Sequence, residues 1–152
     1  MADEALEGGC QCGAVRYRVS AAAREIYHCH CAMCRKLHGA LFATWAVVPR
    51  GGVTVVRGEA ALATFESSPG VRRRFCSSCG CPLFCEIDSD PDLDWYTPGT
   101  LDGGAHPGHE PEREQHIFAG SKVQWQDIPD GLKRYEAYPP AYGGSEESEG
   151  AQ

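Results

Sequence analysis

The sequence predicts a mainly β fold with little helix, on three observations. Short apolar or alternating runs recur between turn signals. Eighteen glycines and ten prolines favour turns and short elements over long helices. Seven of the nine cysteines fall into three short-spaced clusters, which suits short strands pinned together by a shared metal.

The elements follow in chain order. "AVRYRV" (Ala14–Val19) alternates Val15, Tyr17 and Val19 against Arg16 and Arg18, the period of a half-buried strand. A short helix is expected over Ala32 to Leu37, with Gly39 as its stop. "LFATWAVV" (Leu41–Val48) is nearly all apolar and reads as a buried strand. "VTVVR" (Val53–Arg57) follows a Gly51-Gly52 turn, and "ALATFES" (Ala61–Ser67) ends at a Ser-Pro-Gly turn. "VRRRF" (Val71–Phe75) runs into Cys76, and "PLFCEI" (Pro82–Ile87) follows. From Ser89 to Pro111 the abundance of Asp, Gly and Pro predicts a long irregular connection. "QHIFAG" (Gln115–Gly120) alternates again, with His116 and Phe118 on one face and Ile117 on the other. No internal repeat or second domain is evident. Residues 1–140 read as one zinc-binding domain, and 141–152 as a disordered acidic tail.

Composition narrows the function. The net charge of -7 is a poor electrostatic match for nucleic acid, whose binding rests on phosphate neutralisation. No run of about 18 apolar residues is present, so no membrane partner is expected. The N-terminal "MADEALEGG" is acidic and lacks the apolar stretch of a secretory signal, which points to the cytoplasm. In that reducing compartment the seven clustered cysteines read as metal ligands rather than disulfides.

The clusters are Cys10-x-Cys12-Gly13, Cys29-x-Cys31-x-x-Cys34 and Cys76-x-x-Cys79-Gly80. The first and third have the form of zinc knuckles, in which a tight turn presents two sulfurs and backbone N–H groups face the thiolates. Two knuckles close one four-cysteine structural site: Cys10, Cys12, Cys76 and Cys79. The middle cluster then has three ligands. It is either a catalytic site with an open position, or a second structural site completed by Cys81, Cys85, His30 or His38. Cys81 and Cys85 also read as a small packed side chain and a core thiol. "DSDPDLD" (Asp88–Asp94) has the alternating acids of a calcium loop, but it lacks the required Gly and Glu and is interrupted by Pro91. The arginines at 72, 73 and 74 read as a solvated strand face. Trp45, Trp95 and Trp125 read as core or cleft-lining residues.

"GGCQCGAVRY", "CHCAMCRKLHGA", "SSPGVRRRFCSSCGCPLF", "GTLD" and "HIFAGSKVQWQDIPDGLKRYE" occur in this order. Together, over about Leu6 to Pro139, they resemble the glutathione-dependent formaldehyde-activating enzyme family, which also includes centromere protein V-like proteins. The resemblance implies a β-tent of antiparallel sheets held by zinc, with two zinc ions per chain. It implies structural zinc on Cys10, Cys12, Cys76 and Cys79, and catalytic zinc with an open position on Cys29, Cys31 and Cys34. The implied activity is that of a carbon–sulfur lyase joining glutathione and formaldehyde as S-hydroxymethylglutathione, or cleaving that adduct. A small thiol such as glutathione is then the expected partner. His30, His38 and His116 are candidate bases by residue type. Arg35 and Lys36, just after the third ligand, are candidates for binding the carboxylates of the thiol. Two other readings are a zinc-stabilised binding module without catalysis and a thiol redox protein.

Overall fold

A computed structural model of the chain describes residues 4–139. The expected acidic tail, 141–152, lies outside these residues. In chain order the elements are β1 (Leu6–Gly9), β2 (Arg16–Val19), β3 (Glu25–Cys29), α1 (Ala32–His38), β4 (Ala43–Pro49), β5 (Val53–Arg57), β6 (Leu62–Ser68), β7 (Val71–Cys76), β8 (Pro82–Ile87), β9 (Leu93–Tyr96), β10 (Glu114–Ile117) and β11 (Lys133–Arg134), with short 3₁₀ turns between them. The protein is mainly β, as expected, and α1 is its one α-helix among the described residues. These residues form two compact units, one of 4–24 with 46–109, the other of 25–45 with 110–139.

The first unit contains two antiparallel arrays. One has the order β1-β2-β5; the other runs from the end of β4 through β9, β8 and β7 to β6. Its core is aromatic: Tyr17 meets Phe84 edge-on at 5.2 Å between centroids, and Tyr96 at 5.9 Å. The buried Tyr17 hydroxyl is within 2.6 Å of Thr100 Oγ1, which satisfies a polar atom that burial would otherwise strand. Arg16 forms a two-point pair with Asp102, so the "GTLD" stretch ties β2 down at two successive residues.

The stretch from Ser89 to Pro111 departs from expectation. It contains β9, whose Trp95 and Tyr96 are buried and pair in register with Val47 and Ala46. Two large aromatic side chains fill the core here despite the acidic, turn-rich neighbourhood. Two acids of the calcium-like segment, Asp88 and Asp94, are engaged by arginine and backbone. Arg72 pairs with Asp88 at 2.8 Å. Asp94 accepts from Arg50 at 3.0 Å and from the backbone N–H groups of Gly51 and Val53. The arginine run lies on β7, with Arg72 also paired to Glu86 and Arg74 paired to Glu59.

In the second unit, β10 lies between β3 and β11 and is parallel to both. The helix matches expectation closely: Cys31 caps its start by accepting from the backbone N–H of Cys34, and Gly39 ends it in the left-handed conformation. The alternation expected through Gly120 stops early. β10 ends at Ile117, and Phe118 takes a positive φ of 53°, so it does not share a strand face with His116. Trp125 is 74% exposed rather than core or cleft-lining.

Candidate metal centres and histidine cavity

The four sulfurs of Cys10, Cys12, Cys76 and Cys79 lie within 4.8 Å of one another. Cys10 and Cys12 are 3.6 Å apart at sulfur, and Cys12 and Cys76 3.7 Å. A disulfide would bring two sulfurs to about 2.05 Å, whereas a tetrahedral zinc with Zn–S near 2.3 Å separates them by about 3.8 Å. The spacing and the all-thiol donor set therefore fit zinc. Both knuckle turns place glycine at positive φ, 80° at Gly13 and 77° at Gly80. The turns close through Gly13 N–H to Cys10 C=O and Gly80 N–H to Cys76 C=O. Val15 N–H points at Cys10 Sγ, 3.2 Å away. The backbone N–H groups of Cys12 and Cys81 pull the Cys79 thiol down to about 6, which favours the ligating thiolate.

Cys29, Cys31 and Cys34 form the second group, with their sulfurs again within 4.8 Å of one another. Local structure builds it. Cys29 ends β3, Cys31 is the helix cap, and Cys34 sits one turn in and is buried. The sulfur contacts to Cys31 and Cys34, and then burial, push the Cys29 thiol far above the ordinary range. Three sulfurs this close resist joint ionisation unless a cation offsets their charge. The donors fit zinc here too. Neither Cys81 nor Cys85 belongs to this group or to the first. Cys85 is buried on β8, and the Cys81 thiol faces the Pro82 carbonyl at 3.8 Å.

His30, between two of these cysteines, points into a histidine chain. His30 Nε2 is 2.8 Å from His116 Nδ1, and His116 Nε2 is 2.7 Å from Asp130 Oδ2. Both rings are buried, at 3% and 1% exposure. Burial, and then the charge of the neighbouring His116 and His28, pushes the His30 imidazole down to about 4. His28 lies beside them, bonded to Thr44 Oγ1 at 2.8 Å and to Glu114 Oε1 at 2.7 Å. The Phe42 ring packs on His28, His30 and His116, with centroids 4.9 to 5.6 Å away. His30, His116 and Asp130 line a cavity of about 130 Å³ together with Phe42, Lys122 and Ile128.

The remaining candidates lie elsewhere in this unit. His38 packs edge-on against Trp45 at 5.3 Å and does not line the cavity. Arg35 donates its Nε–H to the His30 carbonyl at 3.1 Å, and Lys36 is exposed on α1. Sequence reasoning missed Asp130, Phe42 and Lys122. Asp130 precedes Gly131, and Asp-Gly reads as a turn signal rather than as a histidine partner.

The comparisons agree with the geometry. The family pattern described as "Glutathione-dependent formaldehyde-activating enzyme" matches residues 5–121. A "Putative glutathione-dependent formaldehyde-activating enzyme" of Halomonas elongata is 29% identical over 130 residues, covering 81% of this chain and 80% of that protein. A protein of the same name from Fusarium vanettenii is 29% identical over 83 residues, 53% of this chain and 45% of its own length. A crystal structure of a Rhodobacter sphaeroides protein is 29% identical, with a TM-score of 0.54 over 64% of this chain and 89% of that one. The family pattern spans well over half of the chain and includes all three cysteine clusters, and the chain belongs to the glutathione-dependent formaldehyde-activating enzyme family.

Proposed function

We propose that the protein is a zinc-dependent carbon–sulfur lyase. It forms or cleaves the adduct between a glutathione-like thiol and formaldehyde, or a related small electrophile. The observation that carries this reading is the sequence continuity of a three-sulfur group with a histidine-lined cavity: His30 sits between Cys29 and Cys31 and lines that cavity. The family's glutathione dependence supports the thiol partner.

Cys29, Cys31 and Cys34 would hold one zinc, and Cys10, Cys12, Cys76 and Cys79 the other. At the three-cysteine site zinc would supply Lewis acidity and lower the pKa of an incoming thiol. The chain's own residues do the rest. A cavity of about 130 Å³ is well below the roughly 300–1,000 Å³ that encloses a drug-sized ligand. It takes a one-carbon aldehyde or hydroxymethyl group and leaves a tripeptide outside. Phe42 and Ile128 give it apolar walls that limit water, which would otherwise compete for the aldehyde. In the cleavage direction the hydroxyl proton must leave as the carbon–sulfur bond breaks. Of the candidate bases, His30 and His116 line the cavity and His38 does not, which supports His30, hydrogen-bonded to His116, as the group that takes it. Arg35 and Lys36 offer positive charge to the carboxylates of the thiol.

The test is the rate at which glutathione and formaldehyde equilibrate with S-hydroxymethylglutathione, followed by exchange NMR. Cys31→Ser should abolish the enzymatic increment while the four-cysteine site keeps its metal. An unchanged increment would refute the reading.

A further inference from the structure

We infer that Asp130 is a positioning residue: its carboxylate fixes the proton on His116 Nε2, and through His116 it decides which nitrogen of His30 carries a proton. The inference rests on the lyase reading for its consequence in turnover, but not for the proton order itself.

The argument runs from acceptor to donor along the chain of three residues. Asp130 is held at both oxygens, with Oδ1 accepting from Leu132 N–H at 3.0 Å and Oδ2 lying 2.7 Å from His116 Nε2. Burial pushes its carboxyl up, but the hydrogen bonds from His116 and Leu132 outweigh this and leave it below the ordinary value. An ionised carboxylate only accepts, so His116 Nε2 carries the hydrogen. A neutral imidazole has one N–H, so His116 Nδ1 is a bare lone pair. That lone pair is 2.8 Å from His30 Nε2, which must then be the donor. His30 Nδ1 is left without a proton, and it is buried with no hydrogen-bond partner. It is an acceptor on the residue that lies in sequence between Cys29 and Cys31.

The order has a chemical meaning. A bare His30 Nδ1 accepts the hydrogen of a hydroxyl or a water and can take that proton; an Nδ1–H in the same place could only donate to the oxygen. Asp130 thus sets His30 to accept the proton of a hydroxyl-bearing ligand without touching that ligand. His28 and Lys122, which also act on His30, are committed elsewhere: His28 to Thr44 and Glu114, and Lys122 Nζ to the Val123 and Gln126 carbonyls.

Two readouts test the inference. Long-range ¹H–¹⁵N spectra of zinc-loaded, ¹⁵N-histidine-labelled protein, recorded where both rings are neutral, should show His116 and His30 as Nε2–H tautomers. In Asp130→Asn the side-chain amide can donate to His116 Nε2, and both rings should invert to Nδ1–H. Turnover of the thiol adduct by Asp130→Asn should fall at least about tenfold in kcat with KM little changed, and Asp130→Glu should restore most of it. A wild-type spectrum with His116 as the Nδ1–H tautomer overturns the inference, even if no variant folds. So does an Asp130→Asn spectrum with wild-type tautomers. A wild-type protein with the stated tautomers but no adduct turnover would instead sink the lyase reading and leave the proton order standing.

Discussion

His30 Nε2 and His116 Nδ1 are 2.8 Å apart in a buried hydrogen bond that joins the cysteine-bearing end of β3 to β10. His30 is one residue from Cys29 and one from Cys31, so this bond anchors the peptide that carries two of the three sulfurs. His116→Ala would leave the His30 N–H buried and unpaired. The expected cost is about 1–3 kcal/mol, read as a lower urea midpoint with an unchanged slope.

The two cysteine groups should differ in what their loss does. Cys12→Ser breaks the four-cysteine group that ties β2's entry turn to the end of β7. Structural zinc contributes on the order of 10 kcal/mol to folding, so this variant should lose a cooperative thermal transition or shift it far down. Cys31→Ser should shift it much less. Calorimetry of both variants, with metal content measured alongside, separates the two roles.

Acid should weaken the first unit through its arginine-held carboxylates. The Arg16 hydrogen bond holds Asp102 below its ordinary value, and Arg72 does the same for Asp88. A carboxyl whose pKa is depressed on folding stabilises the native state above its unfolded value of about 4, and that stability is lost as pH falls through the lower folded value. Stability should therefore drop as pH falls below about 4. Arg16→Gln should flatten part of that drop, as measured by urea midpoints across the range.

Backbone geometry gives a sharper contrast. Gly58 has φ of +83°, and a Cβ there would lie 1.8 Å from the Ala14 carbonyl oxygen. Gly13 has φ of +80°, but a Cβ would meet nothing within 4 Å. Gly13→Ala should cost about 1–2 kcal/mol from the left-handed conformation alone. Gly58→Ala adds overpacking against backbone, roughly a further 1–3 kcal/mol. Denaturant titrations of the pair should rank them in that order.

Much of this was legible in the sequence, for physical reasons. Ligand spacing in a zinc knuckle is local, so the cysteine clusters and their glycines could be grouped directly. β5 and β8 begin and end where their turn residues place them, and α1 stops at Gly39. β9 was hidden because its two core aromatics sit among acids and glycines that read as loop. The parallel placement of β10 depends on the path of the intervening chain, which no short window encodes. Asp130 escaped for the same reason: its partner is His116, and the contact is made by the tertiary path and not by any repeat. Trp125 shows the converse, since a large aromatic by itself does not establish burial.

The central claim is that Cys29, Cys31 and Cys34 form the site that meets the thiol. The most direct test is the absorption spectrum of cobalt-substituted protein titrated with glutathione. The account predicts that one part of the thiolate-to-metal spectrum shifts saturably with glutathione, and that this part is missing in Cys31→Ser while the four-cysteine component stays. A spectrum unmoved by glutathione, or a shift that survives Cys31→Ser, would contradict it.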